Sequence, residues 1–163
     1  MKIIKTINIL FILIWMIVIF LFSAADAEKS DRQSDEVIIK TAETIKQEKL
    51  TPKEKETLIS KYIVLVRKSA HFFLYFVLAI LVYILMHDMY GTTLKTFLLT
   101  LIICLIYAIS DEIHQLFSDG RTAKTIDVLI DCSGSILAES ILTIIYLMMN
   151  KIKKTKRKEL STV

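Results

Sequence analysis

One proline and three glycines in 163 residues leave this chain nearly without turn residues. Folds built from many short strands need that punctuation, so a β-barrel or sandwich is disfavoured and helices are expected. Cysteine is almost as scarce. Cys104 and Cys132 stand inside apolar runs with no companion at zinc-ligand spacing, and both read as small buried hydrophobes. No His-Glu-x-x-His pair is present, and Ser69, Ser110 and Ser118 lack the strand-turn-helix elbow that would make one of them a nucleophile. The formal net charge is +4, yet the basic residues form no stripe interleaved with aromatics, so nucleic acid is not an expected partner.

What the chain has in excess is apolar surface: 54% of its residues are hydrophobic, above the ordinary soluble range. The apolar runs define four expected spans, residues 4–25, 70–87, 94–110 and 128–149, each near the roughly 20 residues that cross a bilayer core. The first run follows Lys2 and Lys5 and precedes Ala25-Asp26-Ala27, which has the form of a signal-peptide cleavage site. It is longer than a usual signal core and is read as a retained span. Only residues 87–93 separate spans two and three, which makes those spans antiparallel neighbours. The expected fold is a single all-α membrane domain over residues 1–163, a four-transmembrane-helix bundle bathed in lipid.

Residues 26–66, between spans one and two, carry eight basic and nine acidic side chains. Two helix-start signals, Ser30-x-x-Gln33 and Thr51-Pro52-x-Glu54, predict a helical hairpin there. Val37, Ile38, Ala42 and Ile45 share one helical side, as do Leu58, Tyr62 and Leu65, so each arm can rest an apolar face on the membrane or on the other arm. Residues 150–163 form a basic tail. By the positive-inside rule this compact tail places both termini in the cytoplasm and makes residues 26–66 extracytoplasmic. The raw count of lysine and arginine runs the other way, nine inside and twelve outside. Four of the twelve, Arg67, Lys68, Arg121 and Lys124, fall in an acid-rich cluster that can pair them.

That cluster holds the residues capable of chemistry. Arg67, His71 and Tyr75 are spaced i, i+4, i+8 at the start of span two. Asp111, Glu112, His114 and Gln115 end span three, and Asp127 and Asp131, followed by Ser135, open span four after the turn at residues 118–121. All three groups belong to the same side of the membrane, and ionisable groups there face a bundle interior, pair with one another and mark function. The expected binding residues are Arg67, Lys68, His71, Tyr75, Asp111, Glu112, His114, Gln115, Arg121, Asp127 and Asp131; the candidates for acid–base work are His71, His114, Asp111 and Glu112. A metal held by His71, His114, Asp111, Glu112, Asp127 and Asp131 is chemically possible, but no short ligand spacing supports it and nearby cations can occupy the carboxylates, so neither metal nor cofactor is expected. Gly134-x-x-x-Ala138 reads as a close-packing pair, and Glu139, deep in an apolar stretch, as a neutral acid or an internal partner.

The stretches Arg67-Lys68-Ser69-Ala70-His71-Phe72, Ser110-Asp111-Glu112-Ile113-His114-Gln115-Leu116-Phe117, Gly120-Arg121-Thr122 and Asp127-Val128-Leu129-Ile130-Asp131 together resemble the signature of VanZ-like membrane proteins. The resemblance covers the chain from span one to span four. It departs at Leu74, where the family often has an acid, and at Ser23-Ala24-Ala25, where a Ser-Ser-Gln-like element is usual. It implies a multi-pass protein of the bacterial cytoplasmic membrane, in a family whose named member gives resistance to the glycopeptide teicoplanin. Three roles for the cluster remain open at this level. The first is a polar binding site at the outer face for a cell-wall precursor, a lipid or a glycopeptide. The second is an intramembrane enzyme acting on a lipid-linked anionic substrate, and the third is a clamp that only holds the helices together.

Overall fold

The computed structural model describes residues 2–24, 27–117 and 124–161, with the backbone alone for residues 2, 27–29 and 158–161. Five helices follow in order: α1 (Lys2–Ser23), α2 (Ala27–Lys46), α3 (Pro52–Tyr90), α4 (Leu94–Gln115) and α5 (Thr125–Ser161). No strand occurs among the described residues. By length and composition α1, α3, α4 and α5 can cross a membrane, so the chain is an all-helical, multi-pass membrane protein.

Local chemistry explains the helix boundaries. Thr51 caps α3 with a reciprocal box, its hydroxyl accepting from the Glu54 amide at 3.4 Å while the Glu54 carboxylate accepts from the Thr51 amide at 2.9 Å. Ser30 does not start α2, contrary to expectation: the helix begins at Ala27, and the Ser30 carbonyl accepts from the Ser34 hydroxyl one turn on. Helix-forming residues upstream of a capping residue are enough to carry a helix past it. The second hairpin arm and span two are one continuous helix of 39 residues. Pro52 sits in its first turn and no glycine interrupts it before Gly91, so nothing breaks the ladder where the charged residues give way to apolar ones. At 1.5 Å per residue α3 is about 58 Å long against a hydrocarbon core of about 30 Å, so roughly half of it stands clear of the lipid.

The projecting half of α3 is sheathed by α2. Ile38 and Leu50 are buried between them, while Val37, Ile45, Leu58 and Tyr62 line a groove of about 320 Å³. Glu43 closes the hairpin by accepting from the Leu50 amide at 3.2 Å and pairing with Lys55 at 3.4 Å. The Leu50 amide first, and then Lys55 against the opposing effect of burial, hold the Glu43 carboxyl below its ordinary range. That contribution is complete above the ordinary carboxylate range and is lost as the pH falls through the lowered folded-state value.

At the other end of α3, Gly91 takes φ +70°, a left-handed conformation that glycine adopts without a Cβ clash, and its amide donates to the His87 carbonyl. α3 therefore runs through residues 87–90, and the turn is shorter than the sequence suggests. α1 runs antiparallel to α3: Trp15 Nε1 donates to the Leu74 carbonyl at 2.9 Å, and Lys5 pairs with Asp88 at 3.2 Å. α4 returns alongside α1, with the Tyr107 hydroxyl donating to the Met16 carbonyl at 2.6 Å. α5 then runs parallel to α3 in a steady register, 59 or 60 residues separating Lys68 from Asp127, Tyr75 from Ser135 and Tyr83 from Thr143. Tyr75, Leu78, Ala79, Val82, Cys104 and Ala138 fill the core. Phe11, Ile14, Phe73, Ile106 and Ile144 point outward and exposed, a surface suited to lipid rather than water.

α5 lies tight against α3 at Gly134, where a Cβ would collide with the Phe72 carbonyl oxygen. The collision is with backbone, which cannot swing aside, so Gly134→Ala must push the two helices apart. Overpacking of this kind costs about 1–3 kcal/mol. We expect Gly134→Ala to lower the melting temperature in detergent, whereas Ser133→Ala, at an exposed neighbouring position, leaves it unchanged. Equal melting of the two variants would contradict the close approach.

Candidate functional site

The steady register of α3 and α5 turns two helix faces into a ladder of polar contacts. Asp127, Asp131 and Ser135 are one turn apart on α5 and meet Lys68, His71 and Tyr75 of α3 in order. Lys68 Nζ donates to Asp127 Oδ1 at 2.8 Å, His71 Nδ1 lies 3.7 Å from Asp131 Oδ1, and the Ser135 hydroxyl reaches the Tyr75 carbonyl at 3.5 Å. Asp131 and Ser135 are fully buried, and Lys68 and Asp127 partly so.

The face of α3 that meets α5 is thus 68-71-75 rather than the 67-71-75 suggested by spacing alone. Arg67 is turned about 100° away along the helix and donates to Asp31 on α2 at 2.8 Å. Asp31 carried no signal in the sequence, because its partner is 36 residues away on another helix. Arg67 still touches the site, since it lines a cavity of about 150 Å³ together with Lys68, His71, Gln115, Lys124 and Asp127.

α4 supplies the third wall. Its buried face carries Thr96, Thr100, Cys104, Ala108, Asp111, Glu112 and Gln115. Asp111 comes to the ladder: one ligand-capable atom each from His71, Asp111 and Asp131 lies within 4.8 Å of the others. Glu112 is used at the start of α5, where its Oε2 accepts from the Lys124 amide at 2.8 Å, a carboxylate placed where the helix dipole favours it. His114 departs from this group. It faces α1, with its ring 4.1 Å from that of Phe20. Tyr75 is fully buried, and its hydroxyl has no hydrogen-bond partner among the described residues although the Asp111 and Asp131 carboxylates are within electrostatic reach. Arg121 and the turn at residues 118–121 lie outside the described residues.

Lys124 was counted among the cluster's cations without a site role, and only the fold brings it to the cavity beside Gln115. Deeper in the bundle Glu139 is fully buried, and neither of its carboxyl oxygens has a hydrogen-bond partner among the described residues. Cys104 is buried and Cys132 half-buried, both as free thiols. The opposite end of the bundle has its own, simpler polar set: His87 stacks on Tyr146 at 3.7 Å and hydrogen-bonds Thr92, and Lys95 sits over the Tyr90 ring.

The arrangement is that of a helical, multi-pass membrane protein with a cavity lined by cations, a histidine and a carboxylate at one end of its bundle. A family model described as VanZ/LLP1 matches residues 8–147, which include every described site residue, and the chain belongs to that family. No curated protein and no solved structure matches it.

The observed pairing is open to a double-mutant cycle. Lys68→Ala with Asp127→Ala should show a coupling of about 0.2–1 kcal/mol, as for other partly exposed ion pairs, while Arg67→Ala with Asp127→Ala should be additive. Thermal or denaturant unfolding in detergent reads both cycles, and coupling found only in the arginine pair would overturn the observed pairing.

Proposed function

We propose that the protein acts at the outer face of the bacterial cytoplasmic membrane, where the cavity between α3, α4 and α5 binds the anionic head group of a cell-envelope component. The observation that carries this reading is the lining: Arg67, Lys68 and Lys124 surround one small cavity with His71 and Gln115, offering cationic and hydrogen-bonding donors to a phosphate or carboxylate. Size separates the possible ligands. At about 150 Å³ the cavity falls short of the roughly 300–1,000 Å³ that hold a drug-sized molecule, so it suits a head group and not a whole glycopeptide. Any protection against teicoplanin-type glycopeptides then comes from an action on the envelope component, not from sequestering the drug. The basic tail at the far end of α5 supports cytoplasmic termini, which puts α2 and the cavity outside.

A second reading, chemistry on the bound head group, is favoured by His71 beside the buried Asp131, because a carboxylate at a ring nitrogen orients an imidazole for proton transfer. Conversion of a lipid-linked phosphate by purified protein, lost in His71→Ala, would select this reading over simple binding.

Expression in a susceptible host should lower teicoplanin susceptibility; a Lys68→Ala/Lys124→Ala variant should accumulate normally yet lose the effect, and Lys156→Ala should keep it. Unchanged susceptibility on expression would remove the drug-linked part of the proposal. Single cysteines placed at Lys46 and Lys156 in a cysteine-free background test the orientation. An impermeant label added outside should reach position 46 only, and labelling of position 156 alone would invert the assignment.

A further inference from the structure

Two carboxylates, Asp111 and Asp131, are buried close together beside His71, which itself lines the cavity. Lys68 is held by Asp127 at 2.8 Å and Arg67 by Asp31 at 2.8 Å. Among the described residues the ion-pair partner of Asp131 is His71, a group that supplies at most one positive charge. The reason for expecting no metal from the sequence was that cations would occupy these carboxylates. Among the described residues no lysine or arginine forms an ion pair with Asp131.

We infer that His71, Asp111 and Asp131 form a site for one divalent transition cation of the zinc or manganese kind. One imidazole nitrogen and two carboxylate oxygens are a ligand set suited to such ions. Since the three donor atoms lie within 4.8 Å of one another, some point is within about 2.8 Å of all three, against bonds of about 2.0–2.2 Å in zinc sites. Closing that gap takes well under an ångström of movement per side chain. An independent feature points to the same place. The Tyr75 hydroxyl is fully buried, has no hydrogen-bond partner among the described residues and is within electrostatic reach of both aspartates. Burying a hydroxyl without a partner is costly. A cation at this point, or a water on it, gives that hydroxyl an interaction that the described residues do not. His71 also lines the cavity, so an ion held here faces the space assigned above to an anionic head group and could bridge to it.

The site stands on its own geometry, so metal binding by a protein that leaves glycopeptide susceptibility unchanged would sustain it while the envelope reading fell. The test uses the full chain, purified in detergent and freed of metal with a chelator, then titrated separately with Zn²⁺ and with Mn²⁺. One ion per chain is expected for at least one of the two metals. His71→Ala and Asp131→Asn should weaken binding by more than about 100-fold, and Tyr75→Phe by about 10-fold, in line with the range for groups that support metal ligands. His87→Ala, at the opposite end of the bundle, should bind as the parent does. Should the aspartate variant fail to fold, X-ray absorption at the zinc edge of the unaltered protein decides the matter, with one imidazole nitrogen and oxygen ligands expected. Absence of binding by the parent, retention of full affinity in His71→Ala, or a sulfur-rich coordination shell would each overturn the assignment.

Discussion

Gly134 permits α5 to lie against the backbone of α3, and the polar end of the molecule depends on that contact. In a lipid environment apolar side chains gain little by leaving the solvent, so helices are held together by close packing and by polar contacts between them. A residue without a side chain at the crossing meets the first need. It also sets the second, since with α5 seated on Phe72, Asp131 about one turn earlier and Ser135 next in the chain are brought opposite His71 and Tyr75. The same register continues to Tyr83 and Thr143, whose hydroxyls meet at 2.8 Å near the other end of the core.

Charge in such a bundle is expensive, and the protein spends its cations at the edges. Arg67 fastens the sheath helix α2 to α3, Lys68 fastens α3 to α5, and Lys5 fastens α1 to the far end of α3. The polar residues that go deepest satisfy themselves locally where they can. Thr96 and Thr100 donate their hydroxyls to carbonyls of Gly91 and Thr96, which lets them face the interior without long-range partners. Asp131, Tyr75 and Glu139 cannot be accounted for in that way. Asp131 stands 3.7 Å from His71, which lines the cavity, and Tyr75 is within electrostatic reach of Asp131, so the part of the fold least explained by stability adjoins the part that can meet a ligand.

Much of this was legible without coordinates. Four apolar runs, a charged helical hairpin between the first two, and polar groups collected at one end of three spans can be read from hydropathy, capping signals and helical spacing. The Thr51 cap and the small-residue approach at Gly134 were legible for the same reason: each depends on residues a few positions apart, where chain geometry dictates who meets whom. The start of α2 was harder to place, because a serine followed three residues later by a glutamine marks a favourable cap and does not forbid helix upstream of it.

What only the tertiary structure decided is the assignment of partners across helices. Spacing places Arg67 on the same side of α3 as His71, but the rotation of that helix against α5 selects Lys68 for Asp127 and sends Arg67 to Asp31. It likewise turns His114 toward Phe20 of α1 while its neighbour Asp111 joins His71 and Asp131. A helix periodicity specifies which residues share a face, and a shift of one residue rotates that face by about 100°. Which face meets which neighbour is set by packing between segments far apart in the chain. The sequence alone therefore determined the elements and the end of the bundle at which chemistry collects, and the packing of α3 against α5 determined which side chains touch there.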